Sequence, residues 1–95
     1  MKNSINKYIV SSANWELVVD HELPESAAVS ALLMALGKFG DNLLLSTTIM
    51  VMPEESYIND SLIGADFFAT RIILSRLGLN ELSKSFQEFE ELQST

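Results

Sequence analysis

The alternation of apolar and polar residues at the start of the chain predicts a β-hairpin. Residues 7–12 (KYIVSS) and 14–21 (NWELVVDH) carry β-branched and aromatic side chains in rough alternation with polar ones. Trp15, Leu17 and Val19 would then share one face of the second strand. Residues 11–14, which are small and mostly polar, suit a tight turn.

The next segment predicts a helix that is apolar on nearly every side. Residues 27–36 contain a single polar side chain, Ser30, and Pro24 suits the first helical position. One face carries small side chains that permit close packing: Ala27, Ala31 and Ala35. The other side needs a second cover, either from the C-terminal helices of the same chain or from another copy. The predicted core or oligomer interface consists of Leu33, Met34, Leu36, Phe86 and Phe89.

The pattern beyond the first helix predicts a strand, a loop and at least one further helix. Residues 42–52 are apolar and β-branched on both faces, as in a central strand, and residues 53–61 form an acidic loop. The segment 62–77 fits either one helix or a short strand at 62–68, followed by a helix that Thr70 caps. A last helix begins near Asn80 and carries a narrow apolar stripe of Leu82, Phe86, Phe89 and either Leu92 or Gln93.

These elements predict an α+β fold. We expect a small antiparallel-leaning sheet, built on a β-β-α-β core, with helices packed on one face and a C-terminal helical segment. The 95 residues form a single domain, in which residues 7–79 make the core and residues 80–95 the C-terminal helix.

Charge and composition narrow the functional classes. Thirteen acidic and six basic residues give a net charge of −7, which disfavours direct nucleic-acid binding and favours a protein partner with a basic surface. The chain has no cysteine, and its longest apolar runs are too short to span a membrane, so we expect a cytoplasmic protein. The predicted partner-binding residues are Glu54, Glu55, Asp60, Glu88, Glu90 and Glu91. A purely solubilising role for these carboxylates stays open.

No catalytic or metal motif stands out, so we predict neither catalytic residues, nor a metal, nor a cofactor. The one histidine, His21, stands between Asp20 and Glu22, but adjacent strand residues point to opposite faces. A solvated strand end is therefore the expected role of this tripeptide, and a hydrolase is a minor alternative.

Two stretches resemble small, uncharacterised, often phage-encoded α+β proteins. These are KYIVSS followed by WELVVDHELPESAAVSAL near the start, and FFATRIILSRLGL later in the chain. The resemblance covers residues 7–79, and the extension at 80–95 departs from it. It implies a small accessory or host-directed phage protein and brings no catalytic residues with it.

The sequence thus predicts a non-enzymatic acidic protein that acts by protein–protein interaction and forms a homo-oligomer, namely a dimer. The finer expectation is an inhibitor of a host nucleic-acid-binding or defence complex, of the anti-CRISPR type. The alternative is a small-ligand protein that binds an anion or nucleotide in a pocket between protomers. That pocket would be lined by Tyr8, Trp15, Arg71 and Arg76.

Overall fold

The hairpin and the helices predicted from the sequence assemble around a four-stranded antiparallel sheet. The computed structural model describes residues 5–59 and 63–93. The strands are β1 (Asn6–Ser12), β2 (Trp15–His21), β3 (Thr48–Pro53) and β4 (Asp66–Ala69). The helices are α1 (Pro24–Phe39), α2 (Glu54–Ile58), α3 (Thr70–Arg76) and α4 (Asn80–Gln93). The strand order is β2-β1-β3-β4, and every neighbouring pair is antiparallel, so the predicted α+β class is confirmed.

The hairpin is confirmed with a two-residue turn. Ser12 pairs with Trp15, which leaves Ala13 and Asn14 between the strands. Ala13 has a φ of 51° whereas Asn14 does not have a positive φ, and this combination is found in type II′ hairpin turns. Glycine adopts this conformation more readily than alanine does, so the turn holds some backbone strain.

Helix α1 packs its alanine face against the sheet. Ala27, Ala31 and Ala35 are fully buried, together with Leu32. They meet the apolar side of the hairpin and of β3 in a single core. The helix begins at Pro24 without a side-chain cap and continues through Gly37 to Phe39, where Gly40 follows with a φ of 55°.

The strand predicted at 42–52 is shorter and later than expected, because hydroxyl groups hold the chain before it. Residues 43–47 are irregular. The Ser46 backbone N–H donates to Ser12 Oγ at 3.1 Å, and Thr70 Oγ1 donates to the Ser46 carbonyl at 2.7 Å. These side chains satisfy backbone groups that a strand would place in its ladder. Ladder pairing therefore begins only at Thr48.

The ambiguous segment 62–77 contains a strand and a helix. Residues 60–62 lie outside the described part of the chain, so nothing is placed for Asp60 or for the first residue of this segment. The one-helix alternative is wrong, since β4 precedes α3. Thr70 is not a cap: it is the first helical residue, Ala69 holds the N-cap position, and the buried Thr70 hydroxyl reaches Ser46 instead. The expected acidic loop contains the short helix α2, which contacts β1 and β3.

Helix α4 is the last element along the chain. Its main contacts are with α3, where the Ser83 hydroxyl donates to the Arg71 carbonyl at 2.7 Å. Phe86 is half-buried against the core. Within residues 5–59 and 63–93, no helix has the length and apolar character needed to cross a membrane.

Candidate interaction surfaces

An apolar groove lies between α4 and the irregular segment that precedes β3. It has a volume of about 320 Å³ and is lined by Leu45, Ser85, Phe86 and Phe89. Phe89 is 50% exposed, and Leu82 and Leu92 extend the apolar surface along the same helix. Three exposed or half-exposed apolar side chains thus follow one another along α4 beside the groove, and contiguous apolar surface of this kind is a candidate interaction site.

Two glutamates of α4 share the helical face of Ser85, which lines this groove. Glu81 and Glu88 lie one turn before and about one turn after Ser85, on the same side of α4, and both are exposed. The helix carries four glutamates and one lysine, Lys84, so its outward surface is net acidic. Apolar contact area in the groove is therefore joined by negative charge on the adjoining face of α4.

The C-terminal glutamates predicted to bind a partner are not equivalent. Glu90 faces α3, where its Oε2 atom lies 3.6 Å from Arg71 Nε. That oxygen is buried without a hydrogen-bond partner, which makes the contact an ion pair. Glu88 and Glu91 are exposed. Glu90 thus belongs to the contact between α3 and α4, and Glu88 is the predicted residue on the helical face of Ser85.

The acidic residues of α2 form a separate surface. Glu54 and Glu55 lie beside the start of β1, where they line a shallow depression together with Asn6, Lys7 and Tyr8. Because α2 contacts β1 and β3 whereas α4 packs on α3, the two predicted acidic groups do not come together.

The same helix crosses the face of the sheet that α1 leaves open. The Tyr57 hydroxyl donates to Glu16 Oε1 at 2.9 Å, and Glu16 lies on the side of β2 opposite the core residues. This hydrogen bond, together with the negative charge of Glu16, raises the pKa of Tyr57 above its ordinary value. At neutral pH the tyrosine keeps its proton, and its hydrogen bond links α2 to the edge strand β2.

The residues predicted to form the core or an oligomer interface lie on α1 and α4, and they differ in how exposed they are. Leu36 is half-buried and packs against the core, as Phe86 does. Leu33 and Met34 point outward from α1 and are 60% and 50% exposed. The C-terminal helices of the chain therefore do not supply the cover that the outward side of α1 was expected to find.

The residues of the alternative ligand pocket are dispersed. Tyr8 and Trp15 are buried in the core, where Trp15 Nε1 donates to the Leu44 carbonyl at 2.7 Å. Arg71 pairs with Glu90, and the Arg76 guanidinium lies 2.6 Å from Glu25 Oε2. Both cations thus neutralise carboxylates of the same chain, and the structure does not bring the four side chains to one cavity.

His21 has a more specific role than the solvated strand end that the sequence predicts. Its Nε2 atom lies 2.7 Å from Ser30 Oγ, a contact that links the end of β2 to α1. This contact explains the one polar residue in the apolar run of the helix. In the described part of the chain, no three histidine or acidic side chains converge as a metal site would require.

Two residues that line the groove, Leu45 and Ser85, were not predicted from the sequence, and neither was Glu81, which shares a helical face with Ser85. Leu45 was assigned to the strand at 42–52, and its place beside α4 depends on the irregular path of residues 43–47. A glutamate in the first turn of a helix is favoured by the helix dipole, so Glu81 by itself gave no indication of a position near the groove. The spacing of Glu81, Ser85 and Glu88 was the available signal, since these positions share one helical face.

Comparison with known protein families, with curated proteins and with solved structures finds no match for the chain. A functional proposal therefore depends on the residues described above.

Proposed function

We propose that this protein is a non-enzymatic binding protein that acts by protein–protein interaction through the groove beside α4. The observation that supports this most directly is the half-exposed ring of Phe89 in an apolar groove, with the exposed Glu81 and Glu88 on the adjoining face of the same helix. Apolar anchors surrounded by a charged rim are the usual composition of a protein interface.

The acidic face beside the groove favours a basic partner. An apolar side chain of the partner would enter beside Phe86 and Phe89, while lysines or arginines flanking it would meet Glu81 and Glu88. The net charge of −7 would speed the approach of a cationic partner from a distance. An amphipathic basic helix has this combination of groups.

The finer proposal is inhibition of a nucleic-acid-binding complex. A basic surface that docks on this groove could not bind a phosphate backbone with the same residues at the same time. The chain would then act as a competitor for that surface, in keeping with the phage-protein resemblance of residues 7–79. The cytoplasm, as its compartment, stays a prediction.

Binding of a defined peptide tests the groove. The probe is a fluorescent amphipathic helix of leucine and lysine, and its control is the same helix with glutamate at every lysine position. We expect the basic peptide to bind in a salt-dependent way and the acidic one not to bind. Phe89→Ser, and the pair Glu81→Lys with Glu88→Lys, should each weaken binding about tenfold or more, as read by fluorescence anisotropy.

A matched charge reversal on α2 provides the control. Glu54→Lys with Glu55→Lys changes the net charge by the same amount but lies away from the groove. This pair should weaken peptide binding only as far as the change in net charge of the whole chain does. Equal loss from both charge-reversal pairs, or equal binding of the two peptides, would contradict the groove as the binding site.

A further inference from the structure

Strand β2 is the longer of the two strands at the edges of the sheet. It has seven residues and stands first in the order β2-β1-β3-β4, whereas β4 at the other edge has four. The two-residue hairpin turn fixes which backbone groups of β2 point outward. Ser12 and Trp15 flank the turn as a hydrogen-bonded pair, and bonded and non-bonded pairs alternate from there along the hairpin.

Three residues of β2 present their backbone groups at the outer edge. Glu16, Val18 and Asp20 stand in the pairs with β1 that exchange no hydrogen bonds, so their N–H and C=O groups point away from β1. Within residues 5–59 and 63–93, no turn, loop or side-chain hydrogen bond uses these groups. A row of unpaired donors and acceptors of this kind is a template for pairing with a further strand.

The side chains of the same three residues form a row on the face of the sheet opposite α1. Because Trp15 and Val19 lie in the core, the alternate residues Glu16, Val18 and Asp20 point to the other face. Val18 is 50% exposed, and the side chain of Asp20 is 61% exposed. An added strand would therefore meet an acidic, an apolar and a second acidic side chain at alternate positions.

Both carboxylates keep capacity for a partner. Glu16 Oε1 accepts a hydrogen bond from the Tyr57 hydroxyl, which is a neutral donor and leaves the negative charge in place. Asp20 Oδ1 lies 3.5 Å from Lys7 Nζ in a solvent-exposed ion pair, which is a weak contact. A carboxylate has about four acceptor sites, so each of the two can also accept from a basic side chain beside β2.

The charges decide which strand can be added. If two copies of the chain paired antiparallel through β2 with Val18 opposite Val18, Glu16 of each copy would lie opposite Asp20 of the other. Like charges in directly opposed positions destabilise a sheet, whereas opposite charges stabilise it. The acidic row therefore disfavours a second copy, which is a common role of charges on edge strands, and favours a basic strand.

We propose that the outer edge of β2 binds an extended segment of a partner protein that carries a basic, an apolar and a basic residue at alternate positions. The segment adds to the sheet as an antiparallel fifth strand. Its backbone bonds to Glu16, Val18 and Asp20, and its lysines or arginines lie opposite the two carboxylates. This edge shares no residue with the groove beside α4, so the inference does not depend on the proposed function of that groove.

A short peptide tests the edge directly. The probe is Thr-Lys-Thr-Val-Thr-Lys-Thr with blocked ends, titrated into the full isotope-labelled chain and followed by NMR. We expect a dissociation constant on the order of 1 mM, because one short strand contributes few contacts. The amide signals of Glu16, Val18 and Asp20 should shift, and these amides should exchange more slowly with solvent. Cross-strand NOEs should connect Val18 with the valine of the peptide.

Modified peptides separate the backbone bonds from the charges without altering the protein. N-methylation of the valine and one lysine removes N–H groups that face β2 and should abolish binding. N-methylation of the two inner threonines, whose N–H groups face away, should retain it. Replacing both lysines by threonine should weaken binding at least about threefold, and replacing them by glutamate at least about tenfold.

A matched pair of protein variants tests the position of the charge. Asp20→Lys should weaken binding at least about threefold, and Glu22→Lys, which changes the net charge equally but lies beyond the strand, should have a smaller effect. Phe89→Ser should leave binding of this peptide unchanged, so failure here and failure of the groove are distinguishable. Absence of binding at several millimolar peptide, or equal binding of the two N-methylated peptides, would overturn the proposal. Equal binding of the lysine, threonine and glutamate peptides would also overturn it, as would shifts of the β2 amides when the chain alone is concentrated, which would identify a second copy as the occupant.

Discussion

Helices α1 and α4 are similar in length, with 16 and 14 residues, but they expose apolar side chains for opposite reasons. Helix α1 contacts all four strands, and its apolar residues outnumber the positions that packing on one side can bury. Helix α4 has only a narrow stripe, but it rests on α3, which has seven residues and is half as long. Exposure thus comes from surplus apolar residues in one helix and from insufficient neighbouring structure in the other.

The largest expected effect distinguishes the two faces of α1. Leu32 is fully buried, so Leu32→Ala should lower the free energy of unfolding by about 2–5 kcal/mol through lost burial and a cavity. The neighbouring exposed residue gives the control: Leu33→Ala should change it by less than about 0.5 kcal/mol under monomeric conditions. Urea denaturation measures both. Equal losses would show that the outward face is covered within the chain.

The attachment of α4 is tested by Phe86, the half-buried residue of its stripe. Phe86→Ala should cost about 1–2 kcal/mol, less than a fully buried phenylalanine would, because part of the ring is already in water. Hydrogen exchange followed by NMR should show faster exchange of the α4 amides than of those in α1, both before and after the substitution. Equal protection of the two helices would contradict the difference in their attachment.

A substitution in the hairpin turn should stabilise the part of the molecule that contains α1 and leave the local opening of α4 unchanged. Ala13→Gly should stabilise the sheet by about 0.5–1 kcal/mol, because glycine adopts the positive φ of 51° without the alanine penalty. The gain should slow exchange of the most protected amides of α1 and leave locally opening amides of α4 unchanged. A loss of stability, or a gain seen in α4 alone, would count against this account of the turn.

The smallest expected effects concern the two ion pairs that join α3 to its neighbours. Arg76 contacts Glu25 of α1 at 2.6 Å, and Arg71 contacts Glu90 of α4 at 3.6 Å. These side chains are substantially exposed, so double-mutant cycles with alanine should give about 0.2–1 kcal/mol for each pair. We expect the shorter Arg76–Glu25 contact to give the larger value at low salt. A larger value for Arg71–Glu90 would indicate that the partial burial of Glu90 affects the coupling energy more than the longer distance does.

Local patterns predicted the hairpin, α1 and α4 because each is determined by residues close in sequence. Alternation placed Trp15 and Val19 on one face of β2, which is buried, and the four-residue spacing of alanines marked a side of α1 suited to close packing, which the structure places against the sheet. The strand predicted at 42–52 was placed too early in the chain. The backbone at the start of that segment binds hydroxyl groups of distant residues and not a neighbouring strand. Ser12 and Thr70 bind the backbone near Ser46 from positions far away in the sequence.

The candidate site was predicted only in part, for the same reason. Phe86, Phe89 and Glu88 are recognisable from the periodicity of α4, whereas Leu45 enters the groove through a loop path that no local rule gives. Glu90 looked equivalent to Glu88 in the sequence. Only the packing of α4 on α3 turns it toward Arg71.

By itself, the sequence determined the α+β class, the acidic charge and the excess of apolar residues in α1, because these depend on composition and on local periodicity. Only the tertiary structure decided which of the apolar residues stay exposed. The position of α4 on the short helix α3 leaves Phe89 open beside Leu45, and one-sided packing leaves Leu33 and Met34 open on α1. Exposure depends on which distant elements come to cover a residue, and that is a property of the whole fold.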